Sequence, residues 1–446
     1  MEFETTIAAI ATAQGRGGVA IVRISGEQAL AVMKKCFSHR GAYESHRMYH
    51  GYVRSVSGEK IDEALGVYMA GPRSYTGEDV CEIQCHGGDV SARRVLEAVL
   101  GAGASPAGPG EFTRRAFLNG RIDLSQAEAV MQLVSAGSEA AARASLRQLT
   151  GGVSGRIRGL MDQLHSIRAL IEAGDDFPEE MEETETAQEV RRRIQELADR
   201  LRQLCNPRAA RIITGGSRAV LCGRPNAGKS SLLNALLGAE TAIVTDVPGT
   251  TRDVVTARMN LGGVDCEISD TAGLRTTADP VEKIGVQRAE EALTQADVVL
   301  AVVDASGEMT PEDAQLLRLA PERTLCLLNK TDLTQKVDAD FISREYNIPV
   351  IRVSAVTGAG LEAVKQALRQ RIDPGETPIV AQRHLEAMAR ALQAAEDALA
   401  ALEAGFPADV CGVDLARCGD ALSEITGENA RESVIDRVFR DFCVGK

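Results

Sequence analysis

Apolar positions recur along this chain in three textures. Up to about residue 120 they form short alternating runs broken by turns. Val19–Ile24, Ala64–Met69 and Val80–Gln84 predict strands, and Glu27–Cys36 predicts a helix. Ser91–Gly101 predicts a second helix, with Val95, Leu96, Val99 and Leu100 on its apolar side. The expectation for 1–120 is an α+β domain. Beyond it the spacing turns helical: Ala127–Gln148 is alanine-rich and Val153–Ala173 continues the pattern. Ala187–Cys205 carries the stripe Val190, Ile194, Leu197, Leu201 and Leu204. Between 216 and 375, strand-like and helix-like segments alternate. Ala219–Cys222, Val298–Asp304, Thr324–Asn329 and Val350–Ser354 are short apolar runs with polar residues at their carboxyl ends. That is the pattern of a doubly wound, mostly parallel sheet. After Pro374 long helices return, over Gln382–Gly405 and from Asp409 onward. The simplest arrangement inserts the α/β domain of 216–375 into an all-α domain made of 121–215 and 376–446.

Composition narrows the class. With 446 residues, two to four domains are expected. There is no tryptophan and only 3% aromatic residues, so Ala, Leu, Val and Ile must build the cores. A formal net charge of −13 argues against binding nucleic acid through the whole surface; any RNA contact needs a local basic patch or a partner. The 10 cysteines include no C-x-x-C pair; several, such as Cys222 and Cys326, lie in apolar runs and read as reduced core residues. Cys81, Cys85 and His86 stand close together, either as a metal site or as neighbours on one strand. No run approaches the ~18 apolar residues of a membrane span, and the expectation is a cytoplasmic protein. Gly15–Gly18 reads as an anion nest or as an ordinary turn, Asp175–Glu185 as a solvated loop or a docking surface. Arg191–Arg193 reads as a solvated helix face or as an RNA contact.

Four motifs carry chemistry. Gly223-Arg-Pro-Asn-Ala-Gly-Lys-Ser-Ser231 fits the phosphate-binding loop G-x-x-x-x-G-K-[ST], between a predicted strand and a predicted helix. In such a loop the N–H groups of Ala227, Gly228 and Ser231 converge on an anion at a helix N-terminus. Lys229 reaches the β- and γ-phosphates, and the Ser230 hydroxyl holds Mg²⁺. Asp270-Thr271-Ala272-Gly273 ends a later strand: Asp270 serves the Mg²⁺ shell and the Gly273 N–H the γ-phosphate. In Asn329-Lys330-Thr331-Asp332, the Asp332 carboxylate can accept both N1–H and the amino group of guanine, a donor pair that adenine lacks. Ser354-Ala355 offers a backbone N–H to guanine O6. Together these motifs specify GTP.

Between them lies Thr245-Asp246-Val247-Pro248-Gly249-Thr250-Thr251-Arg252-Asp253, whose Thr251 is the natural second Mg²⁺ ligand in a switch loop. Arg252 and Asp253 close that loop as candidate catalytic groups. Leu274 follows Gly273 where many GTPases place a glutamine to orient water. The missing charge and polarity must come from elsewhere. Asn226, with carbonyls of the 245–250 loop, is expected to hold a monovalent cation. Glu282 is a candidate for orienting water, or else an exposed acid at a helix start.

At this point the chain resembles the tRNA-modification GTPase family called MnmE or TrmE. The resemblance rests on the phosphate loop, T-D-V-P-G-T-T-R-D, D-T-A-G-L-R at 270–275, G-E-F-T-R-R-A-F-L-N at 110–119, L-S-E-I-T-G-E at 422–428 and the terminal F-C-V-G-K. It implies a homodimer joined through N-terminal domains that bind 5-formyltetrahydrofolate or a related one-carbon folate. It implies a helical domain carrying the GTPase domain, and an FAD-dependent MnmG-type partner in a heterotetramer. The implied activity is modification of the wobble uridine of tRNA at C5, with GTP hydrolysis that needs potassium and G-domain dimerisation. By resemblance, potassium falls to Asn226, Thr245, Val247 and Thr250, and magnesium to Ser230 and Thr251. Arg23, Glu82, Arg121 and Lys446 form the folate site; Arg121 stands where relatives can have lysine, which keeps the charge and changes the geometry. Cys443 matches a near-terminal cysteine of the family, with a small buried residue as its plain alternative. A ribosome-assembly GTPase is the rival reading. It shares the GTP motifs but calls for a basic RNA-binding domain.

Overall fold

The protein is described from a computed structural model, which describes residues 5–176, 183–238, 256–270, 293–318, 320–375, 379–440 and 442–446. The chain forms two compact units. One comprises Met1–Val134, Ser145–Arg202 and Glu386–Lys446, the other Ser135–Ala144 and Gln203–Leu385.

The first unit opens with strands β1 (Ile7–Ile10), β2 (Val19–Ser25), β3 (Arg47–Arg54), β4 (Lys60–Met69), β5 (Val80–His86) and β6 (Ser105–Pro106). They form one sheet in the order β3-β4-β5-β2-β1-β6, antiparallel except for β1 beside β6. Alternation decides its faces: Ala20, Val22, Ile24, Cys81, Ile83 and Cys85 are buried beneath the Ala29–Cys36 and Asp89–Gly101 helices. The helices of this unit follow the predicted stripes. Val153, Ile157, Leu160, Leu164, Ile167 and Ile171 line the buried side of the Gly152–Asp176 helix, and Gly419 of the Gly412–Thr426 helix packs against Leu164. Val190, Ile194, Leu197 and Leu201 of the Glu183–Leu204 helix are buried as the stripe predicts.

Two helical expectations change in detail. The alanine-rich stretch is two helices, Leu124–Val134 and Glu139–Leu149, because Ser135-Ala-Gly-Ser138 interrupts it with poor helix formers. The carboxyl end does not run as one helix. It breaks at Gly427, whose φ of +87° caps the Gly412–Thr426 helix, restarts as Glu432–Arg440, and ends in an extended tail. That tail lies against the N-terminal sheet's connections: Val444 bridges to Pro109, and the Lys446 carbonyl accepts the Phe112 N–H at 3.2 Å.

The second unit holds the other sheet, formed by β7 (Ser217–Gly223), β8 (Thr256–Leu261), β9 (Val264–Asp270), β10 (Val298–Asp304), β11 (Thr324–Asn329) and β12 (Val350–Arg352). The order is β12-β11-β10-β7-β9-β8, parallel apart from β8. β8 returns to β9 through Gly262-Gly263, both at positive φ, as a two-residue hairpin demands. Both faces of β10 are buried. Val298, Leu300 and Val302 meet the Lys229–Leu237 and Leu361–Ile372 helices, while Val299, Ala301 and Val303 meet the Pro311–Leu317 and Ala339–Tyr346 helices. This two-sided covering is why its strands read as unbroken apolar runs. Among the described residues, no helix is long and apolar enough to cross a membrane.

Candidate functional site

The carboxyl ends of β7, β11 and β12 place the motifs side by side. After β7 the chain turns through Asn226, at φ +62°, and Gly228, at φ +93°, into the Lys229–Leu237 helix. A side chain at Gly228 would put its Cβ 2.3 Å from Asn329 Nδ2, so glycine is required there. Lys229 is 6% exposed, and its ammonium donates to the carbonyls of Gly223 and Arg224 at 2.9 Å each. The lysine is thus folded back over the loop that it serves. Arg224 is tied by its Nε to the buried Asp313 carboxylate at 2.9 Å, and Asp313 in turn caps the Pro311–Leu317 helix.

Asn329 joins three loops. Its buried carboxamide donates to the Ala227 carbonyl at 2.9 Å and accepts the Ala355 N–H at 3.2 Å. Phosphate loop and base-recognition loops are therefore held by one side chain. Ser354 donates its hydroxyl to Asp332 Oδ1 at 2.6 Å, and Asp332 is otherwise exposed, as a carboxylate that receives a base must be. Thr331 anchors the same loop through its hydroxyl on the Val353 carbonyl at 2.9 Å. Lys330, at φ +65°, reaches Asp304 Oδ2 at 2.6 Å. Burial opposes the Asp304 charge, but hydrogen bonds from Lys330 and Ser306 outweigh it and lower its pKa. The sequence marks Asp304 only as the polar end of an apolar run and does not single out Asp313.

Asn226, Ser230 and Ser231 are exposed at this mouth. Their oxygen atoms suit hard cations and phosphate, so the residues present fit magnesium and potassium. The remaining expected ligands and switch residues, Thr245 to Asp253, Thr271, Ala272, Gly273 and Glu282, lie outside the described residues, as does the side chain of Asp270.

A second cluster lies on the N-terminal sheet. Arg23 and Glu82 are cross-strand partners on β2 and β5, paired at 2.8 Å with side chains 17% and 16% exposed. The Arg23 guanidinium sits 5.1 Å from the Tyr75 ring centre and 5.6 Å from that of Phe112, within cation–π range. Phe112 is bonded to the Lys446 carbonyl, so the chain terminus reaches this cluster. Tyr75 and Phe112 were missed from sequence; Phe112 lies inside the quoted G-E-F-T-R-R string, whereas Tyr75 carried no signal. Arg121 is exposed on the turn after the Glu111–Leu118 helix, held there by its N–H on the Ala116 carbonyl. Cys443 is exposed, and its carbonyl accepts the Gly110 N–H at 3.4 Å.

Three open alternatives close. Cys81 and Cys85 are buried, where desolvation raises both thiol pKa values, while His86 points to the other, exposed side of β5. They form no common metal site, and among the described residues no other such cluster occurs. Gly15–Gly18 is a turn: the N–H of Gly15 goes to the Asp89 carboxylate and that of Gly17 to the Gly87 carbonyl. Arg191, Arg192 and Arg193 pair with Glu403, Glu189 and Glu196, so this face is neutralised.

Comparison with known proteins covers residues of both units. Residues 124–443 match the family described as MnmE helical domain, and residues 6–121 that described as GTP-binding protein TrmE N-terminus. A protein of Symbiobacterium thermophilum named tRNA modification GTPase MnmE is 46% identical over 455 residues, covering 99% of this chain and 100% of that protein. The Clostridioides difficile protein of the same name is 42% identical over 461 residues, covering 100% of each. Among solved structures, the G domain of the T. maritima FeoB iron transporter is 28% identical with a TM-score of 0.28, covering 35% of this chain and 98% of that one.

Proposed function

The chain belongs to the MnmE family of tRNA modification GTPases, and from that premise we propose that it drives C5 modification of the tRNA wobble uridine with a one-carbon unit from folate. GTP hydrolysis is its enzymatic activity. The observation that carries the reading is the Asn329 carboxamide, which locks the phosphate loop to the loops that would read guanine. Lys229 would turn from the loop carbonyls to the β- and γ-phosphates, and Asp332 would take the guanine N–H donors. Ser230 and Thr251 would hold magnesium; Asn226, Thr245, Val247 and Thr250 would hold potassium. When bound, these cations supply the positive charge that the separating phosphates require. Glu282, or Arg252 with Asp253, would orient the attacking water in place of the absent glutamine.

The domain scheme is that of the sequence reading: 1–120 for folate and dimerisation, 121–215 with 376–446 as the helical carrier, and 216–375 as the GTPase domain. The Arg23–Glu82 pair above Tyr75 and Phe112 supports the folate assignment. It offers a cation for the carboxylates of the glutamate tail and a carboxylate for pterin donors, with the partly exposed Tyr75 beside them for the ring. Lys446 and Arg121 would add charge at its edge, and Cys443 a nucleophilic thiol near the tail. The working assembly in this proposal is a homodimer joined to an FAD-dependent MnmG-type subunit in the cytoplasm. The test is mass analysis of tRNA nucleosides from a deletion strain: the wobble uridine should lose its C5 substituent and regain it on complementation with this chain. An unchanged nucleoside profile would rule the proposal out.

A further inference from the structure

A cavity of about 400 Å³ in the second unit is lined by Arg208, Arg211, Arg218 and Arg323 around Asp297. Its volume falls within the roughly 300–1,000 Å³ of small-ligand sites. It lies at the end of the sheet away from the phosphate loop. Arg218 is the second residue of β7, Asp297 immediately precedes β10, and Arg323 immediately precedes β11. The nucleotide motifs leave the other ends of these parallel strands, roughly 20 Å away along the strand direction.

The arginines exceed what Asp297 needs. Asp297 is 5% exposed; its Oδ2 accepts the Arg218 backbone N–H at 2.9 Å, and its Oδ1 takes the Arg211 guanidinium, with Arg208 Nε 3.7 Å away. The other guanidinium contacts are mostly neutral. Arg218 donates to Gln295 Oε1 at 2.9 Å, Arg208 to the Arg371 carbonyl at 3.4 Å, and Arg323 to the carbonyls of Thr294 and Ala296 at 3.2 and 3.0 Å. Glu322 meets Arg323 at 3.3 Å. Among the described residues, four guanidinium groups thus share two carboxylates, in a chain whose formal net charge is −13. Each guanidinium carries five N–H donors in a fork that matches phosphate oxygens, and these contacts leave several of them over. At Arg191–Arg193 every arginine has a glutamate within salt-bridge distance, whereas here Arg208 and Arg211 share one aspartate and Arg218 has no carboxylate partner among the described residues.

We propose that this cavity grips the phosphodiester backbone of RNA, giving the acidic chain its local basic contact. The assignment to RNA rests on the reading of the chain as a tRNA modification GTPase. Exposure favours a polymer over a free anion. The side chains of Arg208, Arg211 and Arg323 are 57%, 45% and 35% exposed. A lone phosphate there would stay largely solvated, whereas a nucleic acid brings further phosphates to the same surface and releases counterions as it binds.

The test is the tRNA affinity of the full-length chain, saturated with GDP and Mg²⁺, measured by fluorescence anisotropy across a salt series. Arg208→Gln with Arg218→Gln should weaken binding roughly three- to tenfold and flatten the slope of log affinity against log salt by about 0.7–0.9 per lost phosphate contact. Arg208→Lys should retain most of the affinity, and matched melting curves would show that the variants are folded. If the unaltered chain binds tRNA and the double variant binds equally well with the same slope, the cavity proposal is overturned and the functional reading stands. If the unaltered chain does not bind tRNA, the cavity proposal falls, and the functional reading stands with the partner subunit holding the RNA. A third outcome also overturns the RNA assignment: inorganic phosphate raises the melting temperature of the unaltered chain but not of Arg208→Gln, while tRNA affinity is the same in both.

Discussion

The two six-stranded sheets of this protein assemble their candidate sites in opposite ways. In the parallel sheet each motif is a short peptide at the end of one strand, and adjacency of strands does the assembly: β7, β10 and β11 are neighbours, so the phosphate loop, Asp304 and Asn329-Lys330-Thr331-Asp332 meet at one edge. In the antiparallel sheet the cluster is made of single residues: Arg23 from β2, Glu82 from β5, Tyr75 from a connection, Phe112 from the Glu111–Leu118 helix, and Lys446 from the far end of the chain. A site of the first kind is built from local spacing, because backbone N–H groups near one glycine turn do most of the binding. A site of the second kind exists only after the sheet register is set. The lesson is that the first should tolerate loss of distant contacts, and the second should not.

The largest expected effect separates the two chemistries. Exchanging potassium for sodium should slow GTP hydrolysis by about 10²-fold, the scale of removing one electrostatic stabiliser of the transition state. Binding of 5-formyltetrahydrofolate by the same preparation should not change, since no residue of the Arg23–Glu82 cluster belongs to the parallel sheet. Equal hydrolysis rates in the two salts would remove the cation from Asn226 and with it the positive charge proposed for the separating phosphates. Loss of folate binding in sodium would break the separation of the two sheets.

Legibility from sequence follows the same divide. The apolar runs at Val298–Asp304 and Thr324–Asn329 coincide with β10 and β11, because strands buried on both faces leave an unbroken apolar signature. β3 escaped notice: Arg47 and Met48, on opposite faces, are both exposed, and Tyr49, His50 and Tyr52 blur its alternation. β1 is only four residues long, too short for a period to show. At the phosphate loop, spacing alone identified Lys229 and Asn329. It could not show that Asn329 clamps the loop, since that contact joins positions 102 residues apart. Arg23, Glu82 and Lys446 were reached only through family resemblance, and Tyr75 not at all.

A smaller effect tests the register-dependent site directly. Glu82→Gln keeps an acceptor for Arg23 but removes the charge that would receive the pterin donors. Folate affinity measured by calorimetry should fall by about tenfold, the low end of what a hydrogen bond to a charged group contributes. The melting temperature should move little, because Arg23 keeps its stacking on Tyr75 and Phe112. Unchanged folate affinity would show that the cross-strand pair is only structural, and the contrast between the sheets would then rest on one site instead of two.

The smallest effect lies in the parallel sheet itself, at the pair that links two strand ends. Lys330 and Asp304 meet at 2.6 Å with side chains 31% and 18% exposed. Burial raises the Asp304 pKa, but the hydrogen bonds from Lys330 and Ser306 overcome it, leaving the folded pKa below the ordinary value of 3.8. A depressed carboxylate pKa adds stability above the unfolded value and loses it as pH falls through the folded one. The contribution should stay within about 1 kcal/mol, as for a partly exposed pair. Asp304→Asn should therefore lower the melting temperature slightly near neutrality and flatten its fall below about pH 5, where the two proteins converge. Because Lys330 sits at φ +65°, a strained position for lysine, the same variant should also loosen the loop that presents Asp332 and raise the dissociation constant for GDP slightly. Parallel acid limbs in the two proteins would mean that the Lys330–Asp304 pair adds no stability at the strand ends.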